Sequence, residues 1–178
     1  PHSLGIFYTA ISNFLGFNKY GEEYKVMALG AYGDSSLDEK LCELINFENN
    51  GKFSLDLNFF LHHKNINKFD IINNEIILKD LLNEPKVESL LGIKKRDRTE
   101  NLKKEHFNLA KSLQNLFEKA YLNYINFSYE KFKIDNLCLA GGCAMNSLAN
   151  GSILKKTNFK NIYIQPAAYD AGGAIGAA

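Results

Sequence analysis

The chain has 178 residues, 46% hydrophobic and 23% charged, the make-up of a folded protein long enough for one domain with a substantial core. Its 21 basic residues nearly cancel its 20 acidic ones, so charge makes no case for nucleic-acid or membrane partners. No apolar run approaches the roughly 20 residues of a membrane span, and no leader pattern opens the chain. Cys42, Cys138 and Cys143 fall in no Cys-x-x-Cys or Cys/His cluster, which argues against a disulfide scaffold or structural zinc and points to a reducing cytoplasm. The start on Pro1-His2 and the close on small residues read as the ends of a piece of a longer polypeptide. Residues 1–178 are expected to form one domain of it.

In chain order, Leu4, Phe7, Tyr8, Ile11, Phe14 and Leu15 recur at helical spacing, with Ser3 as N-cap and Gly16 as stop. A short helix is predicted over Glu22 to Leu29, with acids in its first turn where the helix dipole favours them. Taken by themselves, Glu22, Glu23 and Lys25 read as a solvated helix face. Another short helix is predicted over Leu37 to Ile45. A hairpin follows, turning at Asn50-Gly51, with Phe53, Leu55 and Leu57 alternating with polar residues. His62 and His63 lack a third ligand in a recognisable spacing and read as surface polarity rather than a metal site.

Ile71 to Leu78 reads as a strand broken at Asn73-Asn74, and Lys79 to Arg98 as short helices and loops. From Glu100 a wide apolar stripe predicts a long helix reaching towards Phe132, meant to lie against a sheet and about 45 Å long at 1.5 Å per residue. Two strand–turn–helix units close the chain. Leu137 to Ala140 stops at Gly141-Gly142 before a helix from Cys143. Ile162 to Ile164 stops at Gln165-Pro166 before a helix from Asp170. The order gives an α/β class, a sheet flanked by helices with an inserted hairpin and small helices upstream.

The glycine turns carry the chemistry. Glycines after a strand let the backbone bend and let a ligand approach, and the following helix offers unpaired N–H groups. Two such turns, the second opening with an acid, point to a phosphate-bearing or metal-bearing ligand. Asp170 reads either as an N-cap or as a carboxylate facing a cation. Gly172 and Gly173, costly in a helix, favour the second. Asn146, one turn past Gly142, reads either as helix-surface decoration or as a contact to a ribose hydroxyl or base edge. Cys143 reads as a small packing residue, although a helix N-terminus can lower a thiol pKa.

Four stretches, PHSLGIFY, EEYKVMALGAYG, GGCAMNSLANGSI and IYIQPAAYDAGGAIGAA, resemble, in order, the signatures of the nodulation-protein-U/CmcH carbamoyltransferases. The segment from about Ser35 to Lys111 carries none. The resemblance implies a ribonuclease-H-like half of an actin-like (ASKHA, sugar-kinase-like) fold. It implies carbamoyl transfer to a hydroxyl of a sugar or natural-product acceptor. The donor would be a carbamoyl-adenylate, made from carbamoyl phosphate and ATP on a covalently linked YrdC-like domain absent here. A related branch carries out threonylcarbamoyl transfer to tRNA.

By position, Gly141, Gly142, Asn146, Gly172 and Gly173 match the nucleotide motifs. Asp170 matches an acid that, with an upstream H-x-x-x-H pair, holds an iron-type metal. Lys25 matches the EYKVM motif near the nucleotide cleft. No H-x-x-x-H exists in this sequence, Ala31 stands for the usual Pro and Cys143 for Val. The piece by itself is therefore expected to bind metal poorly and not to turn over. The competing expectations are a sugar-kinase-like phosphotransferase and a non-catalytic nucleotide sensor.

Overall fold

The computed structural model describes residues 2–64 and 69–178; Pro1, which opens the first motif, lies outside them. The chain is mixed α/β, and its residues group into two units. The first comprises Pro1–Asn46 and Phe53–Phe117, the second Phe47–Lys52 and Glu118–Ala178.

The first unit opens with α1 (Leu4–Phe14). The Ser3 hydroxyl accepts the Ile6 N–H at 3.3 Å, and Gly16 ends the helix with φ +82°, the two punctuation marks expected. The apolar stripe is buried: Phe7, Ile11, Phe14 and Leu15 are at most 1% exposed. α2 (Glu23–Leu29) and α3 (Asp38–Cys42) follow, the latter shorter than its apolar pattern. β1 (Ile45–Phe47) and β2 (Phe53–Leu55) form the expected hairpin, but pairing ends before Leu57. The predicted strand over 71–78 is instead a second hairpin, β3 (Phe69–Ile72) against β4 (Glu75–Leu78). Asn73 and Asn74 both take positive φ (51° and 61°), so the break is the two-residue turn itself. α4 (Glu84–Leu91) lies in the charged stretch that carried little pattern.

The long helix exists as α5 (Lys104–Phe132), 29 residues. Its first half closes the core of the first unit through Leu109 and Leu113, both fully buried. There the Tyr8 hydroxyl donates to Gln114 Oε1 at 3.0 Å, and its ring meets Phe117 edge-on at 5.3 Å. Its second half belongs to the second unit, where Tyr129 meets Phe159 edge-on at 5.1 Å. In that unit β5 (Asn136–Leu139) pairs in parallel with β6 (Asn161–Ile164), and α6 (Ser147–Lys156) makes the crossover. The last helix, α7, spans Gly172–Ala177. No helix among the described residues is long and apolar enough to cross a membrane.

Arg96 ties the first unit together. It is 5% exposed. Its Nε donates to Leu15 O at 2.8 Å and its Nη1 to the carbonyls of Asp97, Arg98 and Glu100. One side chain thus satisfies a carbonyl left over at the end of α1 and orders the loop before α5. Arg96→Ala should lower the unfolding free energy by about 2–4 kcal/mol in urea titrations, because several carbonyls lose their donor together. Arg96→Lys should recover less than half of that, since an ammonium lacks the planar fork.

Candidate functional site

The second unit places its two glycine turns side by side. β5 and β6 are paired in register from Asn136↔Asn161 to Leu139↔Ile164, so both chains leave the sheet at one end. Leu137, Leu139, Ile162 and Ile164 are half-buried, while the alternate residues are exposed. Gly141 takes φ +99°, a conformation only glycine holds readily, and a Cβ there would meet nothing within 4 Å. Its N–H donates to Ala168 O at 2.6 Å, which joins the first turn to the second. The Tyr169 ring lies 3.2 Å from where a Gly142 Cβ would stand.

The segment after the first turn differs from expectation. Gly142–Met145 is 3-10 helix, and α6 begins only at Ser147. Asn146 is therefore the cap of α6, with its Oδ1 accepting the Ala149 N–H at 3.0 Å. It is neither surface decoration nor a residue one turn into a helix. Asn150, which the sequence did not single out, donates to Ala144 O at 2.7 Å and accepts from the Tyr121 hydroxyl at 3.1 Å. Burial pushes that hydroxyl up to about 12, so it remains a donor. Burial also pushes the Cys143 thiol up, against any lowering by the helix end, as befits a packing residue.

In the second turn, α7 starts at Gly172 with Ala171 at its cap, so Asp170 is not the N-cap. Its carboxylate belongs to an exposed residue, and its carbonyl accepts the Gly173 N–H at 3.0 Å. A Cβ at Gly172 would overlap the carbonyl oxygen of Ala167, so that glycine serves the tightness of the turn. At Gly173 a Cβ would meet nothing within 4 Å. Gln165 Oε1, at the strand exit, is buried without a hydrogen-bond partner among the described residues. Gly141, Gly142 and Asp170 thus belong to neighbouring turns, Asn146 caps the helix after the first, and Gly172 and Gly173 open the helix after the second. The described residues contain no group of three His, Cys, Asp or Glu placed to hold a metal ion. A lone Asp170 carboxylate does not fit a metal centre by itself. His62 is half-buried, its ring edge-on to Phe60 at 5.9 Å, rather than surface polarity.

Lys25 stands in the first unit, in an ion cluster that replaces the solvated face read from the sequence. Glu22 is only 5% exposed. Its carboxylate accepts from Arg98 Nη1 and Nη2 at 2.6 and 2.7 Å, from Lys25 Nζ at 2.6 Å and from the Lys19 N–H at 3.2 Å. Glu23 accepts from the Thr9 hydroxyl at 2.7 Å. The forked Arg98 bond outweighs burial and holds the Glu22 carboxyl down at about 2, while Glu22 raises both Lys25 and Arg98. Arg98 lies 76 positions from Glu22, too far for any local pattern to announce.

The architecture is that of a mixed α/β chain ending in two strand–glycine turn–helix units. A family model described as the carbamoyltransferase N-terminus matches residues 1–178, and the chain belongs to that family. It is 38% identical over 179 residues to an uncharacterized protein of Synechocystis sp., covering 100% of this chain and 27% of that one. It is 32% identical over 180 residues to nodulation protein NolNO of Sinorhizobium fredii, covering 99% of this chain and 22% of the relative. Against nodulation protein NolO of Bradyrhizobium diazoefficiens the identity is 30% over 178 residues, covering 99% and 28%. The chain spans about a quarter of the length of these curated relatives.

The Glu22 cluster has a testable pH signature. A carboxyl whose pKa falls from 4.5 to about 2 on folding adds stability that is complete above 4.5 and is lost as pH falls towards 2. Arg98 is partly exposed, so the contribution is on the order of 2 kcal/mol. Denaturant titrations between pH 5 and 2 should show this fall, and Glu22→Gln should flatten it while lowering stability at neutral pH.

Proposed function

We propose that the paired turns of the second unit form part of the nucleotide site of an O-carbamoyltransferase. The reading is carried by the 2.6 Å bond from Gly141 N–H to Ala168 O, which makes one surface of two glycine turns, in a chain of the carbamoyltransferase family. The wider α/β framework would be part of an actin-like fold. Gly141, Gly142 and Gly173 would let the backbone approach the phosphates, and Asn146 would face the ribose or base. Gln165 Oε1, buried without a partner, would accept from a ligand donor.

The substrate would be a carbamoyl-adenylate, made from carbamoyl phosphate and ATP on a YrdC-like domain in a protein of the relatives' length. An acceptor hydroxyl, on a sugar or natural product, attacks the carbamoyl carbon. The C–O bond to the phosphate breaks, AMP leaves, and a base takes the hydroxyl proton. Donors aimed at the developing oxyanion lower the barrier. Asp170 would be one donor to an ion held mainly by other residues.

Carbamoylation by the intact protein should require carbamoyl phosphate as well as ATP. ADP formed from ATP and acceptor without carbamoyl phosphate would instead make the protein a phosphotransferase.

Asn146→Ala should cost about 1 kcal/mol of stability through the lost cap. Asn146→Ser keeps a cap acceptor, so a loss of about 1–3 kcal/mol in ATP affinity that persists in this variant belongs to the ligand contact. Unchanged affinity there removes Asn146 from the site. Asp170→Ala should lower bound metal and abolish transfer with the melting temperature unchanged; full metal content with normal transfer would remove it.

A further inference from the structure

The β3–β4 hairpin of the first unit carries an apolar face beside an open strand edge. Residues opposite one another in an antiparallel pair share a face, and the register sets Phe69 opposite Leu78 and Ile71 opposite Ile76. All four are apolar. Phe69 is 47%, Ile71 68% and Ile76 41% exposed, and Leu78 is half-buried. The charges of the hairpin sit on the other face, where Asp70 is paired with Lys79 and Glu75 with Lys19.

Only one edge of the hairpin is satisfied. On its far side β4 is bonded to the loop before α2: Tyr20 N–H donates to Ile76 O and Leu78 N–H to Asn18 O, both at 2.9 Å. Among the described residues, β3 pairs with β4 and with no other strand or bridge. The two-residue turn at Asn73-Asn74 decides which groups face outward. Such a turn makes Ile72↔Glu75 a hydrogen-bonded pair, and Asp70↔Ile77 the next. Phe69 and Ile71 therefore aim their N–H and C=O groups away from β4. Neither a proline nor a bulge blunts this edge.

Size decides between occupants. The three exposed side chains offer on the order of 300 Å² of apolar surface, well short of the roughly 800 Å² per partner of a stable dimer. Pairing two copies of β3 about a twofold at Ile71 would add a ladder of only 4 residues. A segment of the same polypeptide needs far less contact, because its tether holds it at a concentration on the order of millimolar. The chain spans about a quarter of the length of its curated relatives, so a protein of their length has ample polypeptide to supply one.

We propose that an extended apolar segment of the same polypeptide, outside residues 1–178, pairs with the free edge of β3. Main-chain bonds to Ile71 set its register, and its alternate side chains pack beside Phe69 and Ile71. The proposal rests on the intact protein having its relatives' length. It concerns the first unit alone and takes no support from the nucleotide reading.

The test follows amide hydrogen exchange, residue by residue, in the intact protein. The outward N–H of Ile71 should exchange within about tenfold of the inward N–H of Asp70, at every protein concentration over a hundredfold range. Ile71→Lys should speed exchange at the outward N–H of Phe69 at least tenfold and leave that of Asp70 unchanged. If Asp70 also loses protection, the hairpin itself has opened, and Ile71→Thr, which keeps the strand preference of the position, takes its place with the same expectation. Three results would each overturn the proposal. One is free exchange at Ile71 with Asp70 protected. Another is protection that grows with protein concentration as the mass doubles, which would make the occupant a second copy. The third is protection at Phe69 indifferent to both variants.

Discussion

Two parallel strands paired in register release their chains at the same end, and the second unit is built on that constraint. β5 and β6 run from Asn136↔Asn161 to Leu139↔Ile164, and neither continues past the other. A parallel pair needs a crossover, here α6, which returns the chain to the starting edge and repeats the exit. The turns at Gly141 and Ala167 are therefore neighbours by topology. The Gly141–Ala168 hydrogen bond is the local expression of that fact. A side chain at Gly141 would force its φ out of +99°, and one at Gly172 would push Ala167 away. The sparse side chains at this end follow from the need to pack two turns closely before any ligand is considered.

Helix boundaries and turn chemistry were legible where a local rule had one dominant residue. Ser3 capped α1, Gly16 stopped it, and the apolar stripe of α5 ran as long as its period. The strand–glycine–helix order at the end of the chain was equally local. Legibility failed where two local rules competed. Asn73-Asn74 read as a blemish in a strand because neither is glycine, yet both accept positive φ and turn the chain. The run from Cys143 has helical spacing, but Asn146 offers a cap and the α-helix waits for it. It failed most fully for Glu22, whose partner Arg98 arrives from a stretch without periodicity. Periodicity reports which face is apolar; it says nothing of a buried charge that a distant guanidinium neutralises.

Within the candidate site, that competition changes what the glycines mean. Gly172 is explained by close approach to Ala167, so it lends the ligand no support of its own. Gly141 and Gly173 face open space, but Gly141 is already required by its φ of +99°, so only Gly173 has neither a packing nor a positive-φ cause. The proposed ligand-facing role therefore has its clearest support at Gly173, with Asn146 already committed through Oδ1 to its cap.

The carboxylates of Glu22 and Asp170 show how one functional group is put to opposite uses. Burying an ion costs several kcal/mol unless donors surround it, and Glu22 meets that demand with a fork from Arg98, an ammonium and a main-chain N–H. Having satisfied its own lone pairs, it has little left to offer a ligand, and its effect is to hold two cations rigidly at a concave surface. Asp170, beside the glycine turns, is exposed and needs no such compensation. A carboxylate kept in water retains its capacity to accept from a ligand or ion, at the cost of a position less firmly fixed. The first unit thus presents oriented positive charge, fixed by a buried carboxylate, and the second an exposed negative one that needs no such fixing.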